Sequence, residues 1–318
     1  MVELGYAMSS EEHVPNALVR HARGAEEAGF TFALISDHYH PWIDRQGQAP
    51  FVWSVLGGIA GATTGLRVGT GVTCPTTRIH PATIAQAAAT VAAMMPGRFF
   101  LGVGTGENLN EHILGDRWPP HDLRLAQLEE AVAVIRQLWQ GGAQTHRGAH
   151  YTVEQARIYT LPEALPPIMV AASGPRAAEV AGRIGDGLVG TAPDAETLAA
   201  FASAGGAGKP RYGQLTVCWA TDEAQARRTA LEWWPNAGIP GELAQELPTP
   251  AHFAQAAQLV DEDTLAEAIV CGPDAAQHRR AIQGYIDAGY DHVYIHQIGP
   301  DQAGFFDFYR RAILPHFR

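Results

Sequence analysis

The amino-acid sequence predicts a single (β/α)8 TIM barrel spanning residues 1–318, and three observations carry that expectation. Eight short apolar runs are spread along the 318 residues. Most are apolar almost throughout, as strands covered on both faces must be. Helical stretches separate them, and regular alternation of strand and helix implies parallel pairing through right-handed crossovers. Eight such units in this length suit a closed barrel better than an open sheet, which more often carries about five or six strands.

In order, the runs cover 2–7, 31–36 (TFALIS), 66–72 (LRVGTGV), 98–103 (RFFLGV), 168–172 (IMVAA), 187–191, 214–220 (QLTVCWA) and 292–296 (HVYIH). Between the third and fourth runs, 81–95 opens with Pro81 and repeats Ile84, Ala88, Val91 and Met95, the mark of a helix whose first turn tolerates proline. After the fourth run, Leu128, Ala131, Val132, Ile135, Leu138 and Trp139 follow helical spacing, with Glu129, Glu130 and Arg136 on the opposite side. Residues 203–210 (SAGGAGKP) read as a mobile surface loop. The stretch 221–270 is too long for one crossover and rich in Pro and Gly, so a helical insertion packed over the barrel mouth is expected there, before the last strand.

Composition narrows the function. The chain is 46 % hydrophobic, ample for a large core, which excludes a disordered chain. Its formal charge of −11 lacks the basic field that holds a phosphate backbone, so no nucleic-acid partner is expected. Cys74, Cys218 and Cys271 stand alone without a CxxC pair, which argues against a zinc knuckle or a disulfide frame and for a reducing compartment. With no apolar run of membrane-spanning length and no basic-then-apolar start, the expectation is a cytoplasmic protein without a membrane partner.

Active sites of such barrels lie at the C-terminal ends of the strands. The polar residues that follow the runs are Asp37, His38, Tyr39, His40 and Trp42 after the second, and Thr73, Cys74 and Thr76 after the third. Gly104, Thr105, Gly106, Glu107, Asn108 and Asn110 follow the fourth, Ser173 and Gly174 the fifth, Thr191 the sixth, and His296 and Gln297 end the last. The run Gly102-Val103-Gly104-Thr105-Gly106 is not a dinucleotide fingerprint, because position 107 is Glu where a third glycine is required. These glycines would let a flat ring approach the backbone, with Glu107 and Asn110 at its edge. Plainer readings stand beside these: Asp37 and His38 as a helix cap and a surface histidine, Trp42 as core, Glu107 as a solvated carboxylate, and Cys74 as packing. The 14 histidines show no HExxH pattern, and no metal is expected.

Taken together, SDHYHPW at 36–42, GTGVTCPTTRIHP at 69–81, RFFLGVGTGENLNEHILG at 98–115 and IGDGLV at 184–189 resemble the luciferase-like hydride-transfer proteins. Within them, they resemble the branch related to F420-dependent glucose-6-phosphate dehydrogenase. The resemblance runs nearly end to end. It implies a barrel of the luciferase-like type, a homodimer, and bound coenzyme F420, an 8-hydroxy-5-deazaflavin. It also implies roles: His38 as the base that takes the proton of a substrate hydroxyl, Trp42 as its support, and Glu107 as the acid beside the deazaflavin ring. Asp37 and Asn110 match residues at the cofactor, while Ala172, Ser173, Gly174 and Thr191 match the side that holds its phosphate. A non-proline cis bond is implied at Gly71-Val72, with a bulge there pressing on the ring face.

Elementary chemistry agrees with these roles. Oxidising an alcohol removes a proton as hydride leaves carbon, which suits an imidazole with a carboxylate beside it to fix its tautomer. Electron density gained on the ring would be met by a protonated carboxyl or a hydrogen-bond donor, and Glu107 serves only if burial near the ring raises its pKa. One departure bears on the substrate. The family's sugar-phosphate members hold phosphate with lysines and an arginine, whereas the approximately corresponding places here carry Ala244 and Glu267, and the only lysine is Lys209. A dianion in a closed pocket without basic partners is disfavoured, so a neutral sugar or another alcohol is expected unless Arg279 or Arg280 serves. The competing readings are an F420H2-dependent reductase of a carbonyl or imine using the same groups, an FMN-dependent monooxygenase on the same fold, and a cofactor-binding protein without catalysis.

Overall fold

The computed structural model describes residues 2–317. In chain order the elements are β1 (Glu3–Met8), α1 (Pro15–Ala28), β2 (Phe32–Ile35), α2 (Val52–Ala62), β3 (Arg67–Thr70), α3 (Pro81–Met94), β4 (Phe99–Val103), α4 (Asn108–Glu111), α5 (His121–Leu138), β5 (Gln144–Arg147), β6 (Thr152–Ala156), β7 (Ile168–Ala171), α6 (Pro175–Ile184), β8 (Gly187–Gly190), α7 (Ala195–Phe201), β9 (Arg211–Cys218), α8 (Glu223–Trp233), α9 (Leu243–Glu246), α10 (Pro250–Ala257), α11 (Glu262–Ala268), β10 (Val270–Cys271), α12 (Ala275–Ala288), β11 (His292–Gln297) and α13 (Gln302–Phe308). The strands β1, β2, β3, β4, β7, β8, β9 and β11 pair in that order, all parallel, and β11 returns to β1. They close the eight-stranded barrel expected from the apolar runs. Two features lie outside that expectation: the antiparallel pair β5–β6, and β10, which pairs with the end of β9.

The pleat divides the core into two shells. Outward-facing residues such as Tyr6, Ala33, Ile35, Val68, Leu101, Val170, Leu188 and Val293 pack against the helices. Inward-facing residues form a smaller cluster of Ala7, Phe32, Leu34, Phe100, Met169, Val189, Tyr212 and Tyr294. Large rings inside a narrow barrel need glycine opposite them. Gly5 pairs with Phe32 and Gly69 with Phe100, and a Cβ at either glycine would lie 2.4 or 2.1 Å from the partner ring. The N-terminal end of the barrel is therefore plugged: Tyr212 stacks on Phe100 and His292, and Arg67 reaches both Glu3 and the face of Phe32. The loops that carry the candidate polar residues lie at the opposite end.

The helices close for the reasons their sequences suggest. Pro81 opens α3, with His80 accepting the Ala82 N–H, and α5 buries Leu128, Ala131, Val132, Ile135 and Leu138 on one stripe. Residues 203–210 are pinned where a mobile loop was expected. The Lys209 ammonium donates to the carbonyls of Gly182 and Gly185 at the end of α6, at 2.8 Å each, where cations complement the helix terminus. Between β9 and β10 the chain forms α8 to α11. Ile239 and Phe253 from this stretch cluster with Ile43 and Leu109, and Trp42, Ala244 and Leu247 pack against them.

Candidate active site

The loop after β2 is built around Asp37 and His38, both buried. The Asp37 carboxylate accepts the Thr73 hydroxyl at 2.7 Å and pairs with the Arg78 guanidinium at 2.9 Å. It is thus turned toward the third loop, and the carboxylate at the His38 ring is a different one. Glu11, from the loop after β1, places Oε1 3.4 Å from His38 Nδ1, while its Oε2 accepts the hydroxyls of Ser36 at 2.7 Å and Ser9 at 3.0 Å. The His40 carbonyl lies 3.2 Å from the same Nδ1. A carbonyl can only accept, so a proton sits on Nδ1, and in the neutral ring Nε2 keeps its lone pair. The Trp42 indole leans on the imidazole, centroids 4.9 Å apart at 59°, and is backed by Phe253 at 5.1 Å.

The loop after β4 carries Glu107, half-buried, whose Oε2 accepts from Asn110 Nδ2 at 3.3 Å. The Asn110 oxygen accepts the backbone N–H of Tyr39 at 2.9 Å and of His40 at 3.2 Å. One amide therefore joins the loop of His38 to the loop of Glu107. Beneath Glu107 sits Glu111, fully buried, which accepts the Arg78 backbone N–H at 2.7 Å. Burial pushes its carboxyl up to about 7, against the lowering pull of Arg78 and with a further push from Glu107 and Asp37.

Between these loops, the chain just beyond β3 carries the expected cis bond at Gly71-Val72 and the expected bulge. Gly69 pairs with Phe100 and Thr73 with Val103, so four steps along β3 face three along β4. The crowding demands small residues opposite: a Cβ on Gly102 would lie 1.9 Å from the Thr70 carbonyl oxygen, and one on Gly104 2.8 Å from Val72. Gly106 needs its own conformation, with φ of 76° and the Cys74 sulfur alongside. Cys74 itself is buried, with its thiol 3.0 Å from the Thr76 hydroxyl.

Val72, Thr105, Gly106 and Ala171 are partly exposed, and Ser173 and Thr191 exposed, along the ends of the neighbouring strands β3, β4, β7 and β8. Ala172 is buried and donates its N–H to the Val189 carbonyl, and Gly174 is the residue before α6, with no side chain capping that helix and open space where its Cβ would be. A strip of small residues ending on an uncapped helix N-terminus fits a flat ring at one end and a phosphate at the other. Two residues expected in the polar ring serve the frame instead. His296 Nε2 lies 3.3 Å from Glu12, and Gln297 bonds the backbone of Trp219 and Ile298.

A family model for luciferase-like monooxygenases matches residues 2–292, and the chain belongs to that family. It is 38 % identical to an F420-dependent hydroxymycolic acid dehydrogenase of Mycobacterium tuberculosis, over 99 % of this chain and 88 % of that protein. It is 35 % identical to an F420-dependent glucose-6-phosphate dehydrogenase of Beutenbergia cavernae, over 100 % of this chain and 98 % of that one. Among solved structures, an F420-dependent secondary alcohol dehydrogenase in complex with an F420-acetone adduct superposes with a TM-score of 0.93 at 29 % identity, covering 100 % and 99 % of the two chains.

Proposed function

We propose that this chain is an F420-dependent dehydrogenase that takes a hydride from the carbinol carbon of a neutral sugar or another alcohol lacking phosphate. The observation that carries the reading is the His38 imidazole, its Nδ1 proton held between Glu11 and the His40 carbonyl, its Nε2 left free, and Trp42 against its face. Nε2 takes the proton of the substrate hydroxyl. Glu11 meets the positive charge that then grows on the ring. Trp42 fixes the ring plane, with Phe253 behind it. Glu107 is the group placed to pass a proton at the opposite side, in a loop that Asn110 keeps in register with His38. When bound, the coenzyme supplies the carbon that accepts the hydride. Val72, Gly104, Thr105 and Gly106 would hold its ring. Ala172, Ser173, Gly174 and Thr191 would hold its phosphate side.

Two features support a substrate without phosphate. The stretch from 221 to 270, read here as the roof of the site, brings Ile239, Ala244, Leu247 and Phe253 toward Trp42. The nearest buried guanidinium groups are already committed: Arg78 to Asp37 and Glu111, and Arg124 to Gln245 and Glu246. The working assembly is a homodimer in the cytoplasm. The dimer reading is supported by the outer faces of α2 and α3, since neither 51–66 nor 81–97 carries a charge and Phe51 and Met94 are exposed.

The test is cofactor reduction, followed by loss of visible absorbance, with propan-2-ol, cyclohexanol, glucose and glucose 6-phosphate. The expected outcome is turnover of an uncharged alcohol, with His38→Ala losing at least about 100-fold in kcat while F420 affinity is kept. A strong preference for the phosphate ester overturns the substrate assignment. Tighter binding of FMN than of F420 overturns the cofactor assignment.

A further inference from the structure

We propose that Arg78 is the positioning residue that sets the spacing between the His38 and Glu107 loops; this rests on reading those two residues as the working pair. Arg78 leaves the loop after β3 with its side chain only 7 % exposed, turned inward. Nη2 donates to Asp37 Oδ1 at 2.9 Å and to the Asp37 carbonyl at 3.3 Å. The Arg78 backbone N–H donates to Glu111 Oε2 at 2.7 Å, and Nε faces Glu111 Oε1 at 3.5 Å. Asp37 immediately precedes His38. Glu111 lies one turn after Glu107, whose carbonyl accepts the Glu111 N–H at 3.1 Å. Arg78 therefore joins three consecutive loops of the barrel, those after β2, β3 and β4: its guanidinium hydrogen-bonds Asp37 and lies in ion-pair range of Glu111, and its backbone N–H bonds Glu111 directly, one residue or one helical turn from each working group.

The residue type follows from the geometry. One edge of the planar fork donates to Asp37 while Nε faces Glu111 at 3.5 Å, a spread of positive charge that the compact ammonium of lysine cannot reproduce. The ionisable groups facing the fork are Asp37 from the second loop, Cys74 from its own loop and Glu111 from the fourth, and Glu111 is in turn faced by Glu107. On the outer side the Tyr151 hydroxyl donates to the Thr76 carbonyl and closes the loop. Without the guanidinium, two buried acids face each other with no cation, and the loops separate until one acid is protonated or hydrated.

The experiment uses full-length enzyme with F420 and whichever of propan-2-ol, cyclohexanol and glucose the wild type oxidises fastest. It compares Arg78→Lys, Arg78→Gln and the double variant Arg78→Gln/Glu111→Gln, with His38→Ala as a control. Arg78→Lys is expected to lower kcat by about 10- to 100-fold while substrate KM and F420 Kd stay within about 3-fold, the split that misplacement of reacting groups produces. Arg78→Gln is expected to lose more, and the double variant to recover at least about 10-fold over it, because an unpaired acid has been removed. Wild-type kcat in Arg78→Lys, a loss confined to KM or thermal stability, or a double variant no better than Arg78→Gln overturns the proposal. If Arg78→Gln does not fold, kcat in Arg78→Lys decides alone. Full activity in His38→Ala would instead sink the site assignment, whatever the Arg78 variants do.

Discussion

Around the His38 imidazole, each neighbour has one task. Glu11 faces Nδ1, Trp42 covers a face, and Asn110 holds the loop by two backbone N–H groups. His38, Trp42 and Glu107 were legible in the sequence because they stand in short local motifs after apolar runs. Glu11, Arg78 and Glu111 were not, since their meaning comes from contacts between loops 25 or more residues apart. Glu11 did leave a signal: it follows β1, and the rule that active sites gather at strand C-termini puts it on the same rim as His38. Glu111 gives a test at this scale. The folded state holds its proton up to about pH 7, above the ordinary carboxyl range, so its contribution to stability is complete at low pH and is lost as pH rises through that value. Urea unfolding is therefore expected to lose about 2 kcal/mol between roughly pH 5.5 and 8.5 through this group, and Glu111→Gln to remove that loss; equal pH slopes in both proteins would refute it.

At the scale of elements, inner strand positions alternate glycine with rings. Alanine in place of Gly69 would set a methyl 2.1 Å from the Phe100 ring, which is itself backed by stacked Tyr212. Gly69→Ala is expected to cost at least about 2 kcal/mol in urea unfolding, and Gly69→Ala/Phe100→Leu to recover most of it. No recovery would mean that the barrel interior has room elsewhere. The runs that became barrel strands were legible for the same packing reason: covered on both faces, they must be apolar. The β5–β6 hairpin was not, because QTHR and TVEQA are mostly exposed or half-buried and bury little. Its loop is held from outside by Glu130 on α5, which accepts the N–H groups of Ala149, His150 and Tyr151.

For the whole molecule, closure of the sheet leaves one open end, and the segment between β9 and β10 is tied across to the fourth loop. Asn108 donates to the Glu246 carbonyl at 2.9 Å, Trp118 to its carboxylate at 3.2 Å, and Arg124, lying over the Trp118 ring, reaches Gln245 and Glu246. No helix among the described residues is long and apolar enough to cross a membrane. The proposed dimer face makes its own prediction. Gly61 on α2 is exposed with nothing within 4 Å of an added Cβ, so Gly61→Arg should fold yet run at half the wild-type mass in light scattering. A wild-type chain that already runs as a single copy would exclude the assembly.

The extra residue in β3 has a consequence for how this protein can change in length. Between Gly69 and Thr73 the chain carries one residue more than its neighbour, and beyond that point every side chain's facing depends on the surplus. Losing a single codon there would rotate Thr73 away from Asp37 and shift the anchor from which Arg78 reaches its two acids. The interval from 70 to 73 therefore tolerates exchange of letters but not a change in their number.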